Sequence, residues 1–240
     1  MIKSLSIIFP TYNEAKRLSK TFNEIIKFKK NFLKINLEIV FIDDGSVDNS
    51  TQLIETFIKK NKFKKLKIKK LFLKKNMGKG YALKKGVNLS TKLNILTSDV
   101  DLSVPLSQLT TWEKKNLIKQ NLIIFGSRNL DKSVVVKKKS RFLLGYVFNI
   151  LTKVILNIKL KDTQCGFKLY KKRIAKLIFS KISTFGFAHD IELVLIARKN
   201  NIKIKELPVH WTHRSGSKVN IIFDPIKMFF NLILFRIKFF

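Results

Sequence analysis

Two aspartates, Asp99 and Asp101, are separated by one residue and follow directly after an apolar run at residues 93–97. Carboxylates with this spacing at the end of a strand can bind a hard divalent cation, Mg²⁺ or Mn²⁺, and through it a diphosphate. The same triplet is also typical of a solvated turn. The pair is therefore a candidate metal site whose interpretation depends on the neighbouring loops.

A second acidic loop has the sequence DDGS at residues 43–46, followed by Asp48. Carboxylates beside a phosphate repel it, so Asp43 and Asp44 are better suited to accept hydrogen bonds from a ribose or a base. An ordinary Asx turn that caps a helix at Ser50 explains the same residues. The two interpretations are compatible with each other.

A lysine flanked by glycines, Lys79, lies in the sequence NMGKG at residues 76–80, at the start of a predicted helix. Free backbone N–H groups and a cation at a helix start can face an anion. The segment lacks the full phosphate-loop pattern of the NTPases, and a plain turn is an equally good interpretation. Lys79 becomes a strong candidate for an anion-binding residue only in combination with the other loops.

Apolar runs alternate with segments of helical periodicity, a pattern typical of a parallel α/β sheet. Residues 5–9, which end at Pro10, and residues 37–42 are predicted to be buried strands, and residues 15–33 between them a helix. The other predicted elements are helices at residues 50–60, 79–88 and 190–200, and strands at residues 67–73, 93–97, 122–125 and 203–207.

These strands place three polar loops at one edge of the predicted sheet: residues 10–14, residues 43–44 and residues 99–101. In open α/β sheets, ligands bind in the crevice outside the carboxyl ends of the strands. We therefore expect the three loops to converge on one crevice, in an α/β fold with a mostly parallel mixed sheet.

The chain is strongly basic, with 49 Lys and Arg against 16 Asp and Glu and a formal net charge of +33. This charge points to a polyanionic partner: nucleic acid, an acidic membrane surface or a phosphorylated substrate. The compositional bias of an AT-rich genome is an alternative explanation. The sequence has no base-stacking motif, and its acidic loops would repel phosphate unless a metal ion intervened. We expect no nucleic-acid partner.

The single cysteine and residues 1–10 indicate in which cellular compartment the protein is expected to act. Cys165 excludes an internal disulfide, fits a reducing compartment and is expected to be a small buried hydrophobe. Residues 1–10 lack a charged region followed by a long apolar run and a cleavage site, so no signal peptide is predicted. We expect the active face to be cytoplasmic.

Two later stretches are apolar but interrupted: residues 142–158 by Lys153, and residues 221–240 by Pro225 and several charges. Neither offers the roughly 20 uninterrupted apolar residues of a membrane-spanning helix. Cationic amphipathic helices rich in aromatic residues lie in the headgroup region of a membrane, and the basic residues 137–141 precede the first stretch. We predict peripheral membrane association; packing on the core or on a partner subunit is the alternative.

Several motifs occur in the order of a known family. They are SIIFPTYNE at residues 6–14, IDDGSVD at 42–48, NMGKG at 76–80 and DVD at 99–101, followed by FGSR at 125–128 and DTQCGFK at 162–168. The first four resemble the signatures of the family 2 glycosyltransferases, of GT-A fold. The last two are similar to the branch that holds the dolichyl-phosphate β-glucosyltransferases and mannose synthases, and DTQCGFK favours the glucosyl type.

The resemblance extends over about residues 5–220. It implies a single GT-A domain at residues 1–220, with a Rossmann-like sheet. Residues 221–240 would then form a C-terminal amphipathic tail that associates with a membrane.

The resemblance also implies roles for residues in the motifs. The nucleoside of the donor would be held by Pro10, Tyr12, Glu14 and Asp43 or Asp44. Lys79 and Asp99 would help seat the donor, and Asp99 and Asp101 would bind the Mg²⁺ or Mn²⁺ that bridges its diphosphate. Phosphates of the donor or acceptor would be held by Arg128, Arg214 and Lys218, and the candidate catalytic residues are Asp101, Arg128 and Asp190.

Two acidic residues of the second half, Asp190 and Glu192, would lie near the acceptor in such enzymes. Capping of the following helix is the alternative role for Asp190. The three histidines, His189, His210 and His213, have no metal-ligand spacing and are expected to be structural.

The resemblance implies an inverting, metal-dependent hexosyltransferase that moves glucose from UDP-glucose to a polyprenyl or dolichyl phosphate. GDP-mannose as the donor, or a saccharide or glycolipid as the acceptor, are the alternatives within the family. The expected partners are therefore a nucleotide sugar, a lipid phosphate and the cytoplasmic surface of a membrane.

Overall fold

The computed structural model of the protein describes residues 2–32, 34–61, 65–115, 117–118, 123–136, 142–214 and 223–240. Within these residues the strands are β1 (Ser4–Thr11), β2 (Asn36–Asp43), β3 (Leu66–Phe72), β4 (Asn94–Thr97), β5 (Ile123–Ser127), β6 (Val134–Val136), β7 (Lys168–Lys171), β8 (Ile204–Pro208) and β9 (His210–Thr212). The helices are α1 (Ala15–Asn31), α2 (Ser50–Lys60), α3 (Lys79–Leu89), α4 (Ser107–Lys114), α5 (Phe142–Leu156), α6 (Lys172–Lys181), α7 (His189–Lys199) and α8 (Phe223–Phe239).

Seven strands form one sheet in the order β3-β2-β1-β4-β7-β5-β8. Strand β7 runs antiparallel to both of its neighbours, and the other strand pairs are parallel. The predicted α/β fold with a mostly parallel mixed sheet is therefore confirmed. Strands β6 and β9 pair separately as a small parallel sheet.

The core lies on both faces of the sheet, because successive residues of a strand point to opposite sides. In β1, Ile7 and Phe9 pack in the cluster that α1, α2 and α4 cover. Ile8 packs in the opposite cluster, with residues of α3, α6 and α7. The apolar runs in the sequence arise from this burial on both faces, which is typical of parallel sheets.

Strand β1 extends to Thr11 instead of ending at Pro10 as predicted. Its neighbour β4 pairs with β1 only as far as Ile8, so Pro10 lies beyond the end of that ladder. A residue without an N–H group is tolerated there. The extension places Thr11 opposite Asp43 and brings the first two polar loops together.

The last described helix, α8, packs one side on the protein and exposes the other. Leu232 and Phe235 are fully or nearly fully buried in the core cluster of α3, α6 and α7. Large apolar side chains on the other side remain exposed, among them Phe230, Leu234 and Ile237. In the part of the chain that the structure describes, no helix combines the length and apolarity required to cross a membrane.

Candidate active site

The loops that follow β1 and β2 are joined by hydrogen bonds. The N–H of Asp44 donates to the carbonyl of Thr11 at 2.8 Å. The N–H of Asn13 donates to Oγ of Ser46 at 2.8 Å, and Oδ1 of Asn13 accepts from the N–H of Val47 at 2.9 Å. Asn13 has a φ of 53°, a left-handed conformation that Asn tolerates. The two loops therefore form one fixed edge of the predicted crevice.

The first of these loops carries Pro10, Tyr12 and Glu14, the residues predicted to hold the nucleoside, and all three are half-buried. The carboxylate of Glu14 forms an ion pair with Arg17 at 2.9 Å, and its N–H donates to Oγ of Ser50 at 2.9 Å. Glu14 thus helps to join the starts of α1 and α2. The structure brings these residues to the same sheet edge as the acidic loop.

The acidic loop contains the Asx turn that the alternative interpretation required. Asp43 is buried and accepts hydrogen bonds from the N–H and Oγ of Ser46 at 2.8 and 2.6 Å. At the start of α2, it is Asp48 that accepts from the N–H of Ser50, at 3.0 Å. The carboxylate of Asp43 therefore stabilises the loop that was predicted to hold the nucleoside.

Asp44 links the acidic loop to the lysine loop. Its two carboxylate oxygens accept from the N–H groups of Met77 and Gly78, each at 2.8 Å. Burial raises the pKa of the Asp44 carboxyl above its ordinary value, although the two N–H donors act in the opposite direction. Asp44 therefore positions the backbone that leads into Lys79.

The lysine loop also rests against the turn before α7. Gly78 has a φ of 99°, and a Cβ at this position would lie 2.4 Å from the carbonyl oxygen of Phe185. The same carbonyl accepts a hydrogen bond from the N–H of Gly80 at 2.7 Å. Glycine at position 78 thus permits both the backbone conformation and the close approach.

Lys79, the first residue of α3, reaches across to the loop after β4. Its Nζ lies 2.6 Å from Oδ1 of Asp99. Burial alone would lower the pKa of Lys79, but the carboxylates of Asp99, Asp190 and Asp101 outweigh it and raise the pKa above its ordinary value. The lysine is therefore a fixed positive charge among three aspartates.

Asp99 and Asp101 lie in a tight turn that follows β4. The N–H of Leu102 donates to the carbonyl of Asp99 at 3.1 Å, and Oδ1 of Asp101 accepts from the N–H of Ser103 at 2.8 Å. Both aspartates are half-buried. Because Asp99 already binds an ammonium group, its carboxylate suits a cation, and two carboxylates form a hard oxygen donor set that fits Mg²⁺ or Mn²⁺.

Two carboxylates are few for a metal site built from protein alone. Among the described residues, no group of three or more His, Cys, Asp or Glu side chains is arranged to hold a metal ion. Mg²⁺ is commonly held by one or two carboxylates together with the phosphates of a substrate. The pair therefore suits a cation that arrives with a diphosphate.

Arg128 lines the same small pocket as Asp99 and is bound to Asp162. Its Nε and Nη2 donate to the two carboxylate oxygens of Asp162 at 2.7 and 2.8 Å. Burial would raise the pKa of Asp162, but Arg128 outweighs burial and holds this pKa below its ordinary value. Among the described residues Nη1 makes no hydrogen bond, so it is the part of the guanidinium group that can meet an anion.

Asp99 and Arg128 line a small cleft, and several of its other lining residues had no predicted role in the site. The complete lining is Ser98, Asp99, Ser103, Val104, Arg128, Gln164, Cys165, Gly166, Phe167 and Trp211. The guanidinium carbon of Arg128 lies 5.8 Å from the ring centre of Trp211. Cys165 is buried as predicted, and burial raises the pKa of its thiol to about 12. The thiol therefore remains protonated at neutral pH.

Asp190 is buried beside two basic side chains. It forms an ion pair with Lys168, and Nε2 of His189 lies 3.3 Å from its Oδ1. Burial would raise the pKa of Asp190, but His189, Lys168 and Lys79 outweigh it and hold this pKa below its ordinary value. Helix α7 begins at His189 and has no side-chain cap, so the alternative role of Asp190 as a helix cap is wrong.

Glu192 does not line the cleft, and its location near the acceptor stays a prediction. Its buried carboxylate accepts from the N–H groups of Ser183 and Thr184 at 3.0 and 2.7 Å, and from Oγ of Ser183 at 2.7 Å. Nζ of Lys238, in α8, donates to the same carboxylate at 2.8 Å. Glu192 therefore holds the turn whose next residue, Phe185, supports the lysine loop.

Of the predicted phosphate ligands near the end of the chain, Arg214 is described and Lys218 lies outside the described residues. Arg214 follows β9, whose Thr212 N–H donates to the carbonyl of Ser103 at 2.8 Å. This bond connects β9 to the turn that carries Asp101. His210 lies in β9 and His213 directly after it, where the N–H of His213 bonds to the carbonyl of Val136 at 3.0 Å.

Comparisons with known proteins agree with this geometry. The family model "Glycosyl transferase family 2" matches residues 6–179. The dolichyl-phosphate β-glucosyltransferase of Dictyostelium discoideum is 35% identical, over 98% of this chain and 74% of that protein. The human dolichyl-phosphate β-glucosyltransferase is 32% identical, over 99% of this chain and 76% of that protein.

A solved structure supports the fold. Glucosyl-3-phosphoglycerate synthase from Mycobacterium tuberculosis, in complex with Mn²⁺, UDP and glucosyl-3-phosphoglycerate, superposes with a TM-score of 0.65 at 12% identity. The superposition covers 98% of this chain and 80% of that one. The motifs, the converging loops and the family match lead to one conclusion: the chain belongs to glycosyl transferase family 2, and its fold is that of the GT-A members of this family.

Proposed function

We propose that the protein transfers glucose from UDP-glucose to the phosphate of a polyprenyl or dolichyl lipid, with inversion at the anomeric carbon. The observation that carries this proposal is the 35% identity, over 98% of the chain, to a dolichyl-phosphate β-glucosyltransferase. The site is chemically suited to the reaction, because the cleft is lined by Asp99, which pairs with Lys79, and by Arg128. These charged groups suit the proposed substrates, because the donor carries a diphosphate and the acceptor carries a phosphate.

On the donor side, the nucleoside would lie against the edge formed by the first two loops, near Pro10, Tyr12 and Glu14. Asp43 and Asp44 shape this edge through their bonds to Ser46 and to the lysine loop. Lys79 would then contact the diphosphate. A helix start and an ammonium group together form a favourable anion site.

Asp99 and Asp101 would hold the Mg²⁺ or Mn²⁺ ion. The ion would neutralise the charge that develops on the departing nucleoside diphosphate. The protein contributes the two carboxylates, fixed in a turn by the bonds of Leu102 and Ser103. Preorganised charge of this kind lowers the barrier because little reorganisation is needed during the reaction.

On the acceptor side, Arg128, Arg214 and Lys218 would hold the lipid phosphate. A phosphate monoester is largely dianionic near neutral pH, because its second pKa is about 6. Its oxygen can therefore attack the anomeric carbon without a strong base, and positioning dominates the rate. Asp190, kept ionised by Lys168, would orient groups near the attacking oxygen.

The decisive experiment supplies the protein with Mn²⁺, a polyprenyl phosphate and separately labelled UDP-glucose and GDP-mannose. We expect the label of UDP-glucose to enter the organic phase. Label from GDP-mannose alone would favour the mannosyl alternative, and label on an added saccharide or glycolipid would change the acceptor. No transfer from any nucleotide sugar to any acceptor would contradict the proposed function.

We further propose that α8 lies on the cytoplasmic surface of a membrane and brings the cleft to the lipid phosphate. Phe229, Phe230, Ile233, Leu234 and Ile237 are at least 40% exposed on this helix. Lys227 and Arg236 accompany them and suit anionic headgroups, whereas Lys238 is paired with Glu192. The other basic and apolar segment of the prediction, residues 137–141 and the start of α5, lies outside the described side chains.

Replacing Phe230 and Ile237 with Ser together should weaken binding to vesicles that contain phosphatidylserine by about tenfold, because two large apolar contacts with the membrane are lost. Cosedimentation with vesicles measures the effect. The matched control is Leu93→Ser, since Leu93 is 69% exposed and lies before β4, outside α8. Equal binding by both variants and the wild type would contradict membrane docking through α8.

A further inference from the structure

Lys79 occupies the first carboxylate of the candidate metal site. Its Nζ lies 2.6 Å from Oδ1 of Asp99, and the two side chains are 23% and 39% exposed. The backbone around Lys79 is anchored on both sides, because its two neighbours bond to the carboxylate of Asp44 and to the carbonyl of Phe185. The fixed start of α3 therefore holds the ammonium group beside Asp99.

The carboxylate of Asp99 lies between this lysine on one side and Gly166 on another. A Cβ at Gly166 would lie 2.3 Å from Oδ2 of Asp99, so the backbone at Gly166 closes one side of the carboxylate. Asp101, the second candidate ligand, already uses Oδ1 to accept from the N–H of Ser103. A divalent cation that binds Oδ1 of Asp99 therefore competes with the ammonium group, and one that binds Oδ2 is repelled by it at close range.

We propose that Lys79 is an internal cation that holds Asp99 until the donor binds, and that the diphosphate of the donor then draws Lys79 away from Asp99. This inference rests on the proposed function, in which the same cleft binds a nucleotide sugar and a divalent cation. Without the donor, ammonium and metal ion compete for one carboxylate. With the donor, the phosphate oxygens offer Lys79 a new charge-assisted partner, and the competition ends.

The consequence is a positive coupling between metal ion and donor. The metal ion alone must break the ion pair of Lys79 and Asp99, whereas in the presence of the donor the lysine exchanges one anion for another. By linkage, each ligand strengthens the binding of the other by the same factor. Direct bonds between metal and phosphate supply part of this factor, and Lys79 supplies the rest. Removing Lys79 should reduce the factor without abolishing it.

The test measures Mn²⁺ binding through the EPR signal of the free ion, with and without UDP. Without UDP, Mn²⁺ should bind to K79Q about fivefold more tightly than to the wild type, the factor expected for the loss of a partly exposed ion pair. With UDP bound the competition is absent, so addition of UDP should strengthen Mn²⁺ binding to K79Q about fivefold less than it does for the wild type. K79R, which keeps the charge, should resemble the wild type.

Two controls separate the specific contact from general charge effects. K85Q removes the same charge from the same helix, but Lys85 packs over the ring of Tyr81 at 5.1 Å instead of on Asp99, so K85Q should bind Mn²⁺ like the wild type. D99N should lose most Mn²⁺ binding, because it removes the contested carboxylate charge.

Equal Mn²⁺ affinity for K79Q, K85Q and the wild type, with an undiminished effect of UDP, would overturn this role of Lys79 and leave the transferase function intact. Absence of Mn²⁺ binding to the wild type, with and without UDP, would overturn the metal assignment of Asp99 and Asp101 as well. Transfer from UDP-glucose, measured separately, would then still stand on its own result.

Discussion

Asp101→Asn is expected to lower the rate of glucose transfer by about a thousandfold, because in the proposed function the substitution removes one of the two charged ligands of the metal ion. The substitution keeps the shape of the side chain. It also keeps an oxygen that can accept from the N–H of Ser103, the bond that fixes Asp101 in its turn. The free energy of unfolding should therefore change by less than about 0.5 kcal/mol.

The transfer rate is measured as label entering the organic phase, and stability as the urea midpoint. Asp131→Asn is the matched control, since Asp131 is an exposed acid in the loop after β5. This variant should transfer at the rate of the wild type. If D101N kept more than about a tenth of the wild-type rate across a range of Mn²⁺ concentrations, or if exhaustive chelation left transfer unchanged, Asp101 would not be a metal ligand.

Arg128→Met is expected to destabilise the protein by about 3 kcal/mol and to impair transfer. The side chain of Asp162 is only 2% exposed, and the substitution would leave its charge without the guanidinium that compensates it. Urea unfolding measures the loss. The double variant R128M/D162N removes both charges. The amide oxygen of Asn at position 162 can still accept a hydrogen bond from the backbone N–H of residue 128. About half of the lost stability should therefore return.

The double variant separates two roles of Arg128. If the arginine holds a phosphate, transfer should remain impaired although stability improves. If transfer recovers together with stability, Arg128 acts only through the fold, and its assignment to the acceptor phosphate is wrong.

The loss of unfolding free energy caused by R128M should become smaller as the pH falls. The pKa of Asp162 is lower in the folded protein than its ordinary value of about 3.9. The contribution of the ion pair is therefore complete above that ordinary value and is lost as the pH falls through the lower folded pKa. In R128M, burial without the guanidinium raises the pKa of Asp162, so the difference in unfolding free energy between the wild type and R128M should begin to narrow as the pH falls through that raised pKa and should be lost below the lowered pKa of the wild type.

The sequence predicted the buried parallel strands well, because strands covered on both faces form continuous apolar runs. Strands β1, β2 and β4, and helices α2 and α3, lie within one or two residues of their predicted bounds. Strand β7 was not predicted, because it begins and ends with lysine. Lys168 is nevertheless buried, and its pairing with Asp190 explains how a charge is accommodated there.

The site was predictable in its location but not in its internal bonds. The order of strands and loops placed residues 10–14, Asp43 and Asp99 at one edge of the sheet. Pairs such as Arg128 with Asp162 join residues far apart in the sequence, and residue types alone do not reveal them. The division at residues 220 and 221 and the individual ligand roles stay predictions.

The turn at Ser183 and Thr184 is synthesised later than the lysine loop that it helps to support. The lysine loop is made early, yet it rests on Phe185, and Glu192 holds that turn with help from Lys238 in α8. A nascent chain that has emerged only as far as β5 lacks every one of these supports. The lysine loop therefore has its full set of supports only after α8 has been synthesised, and a chain that ends before α7 would carry the first four motifs without the turn that supports this loop.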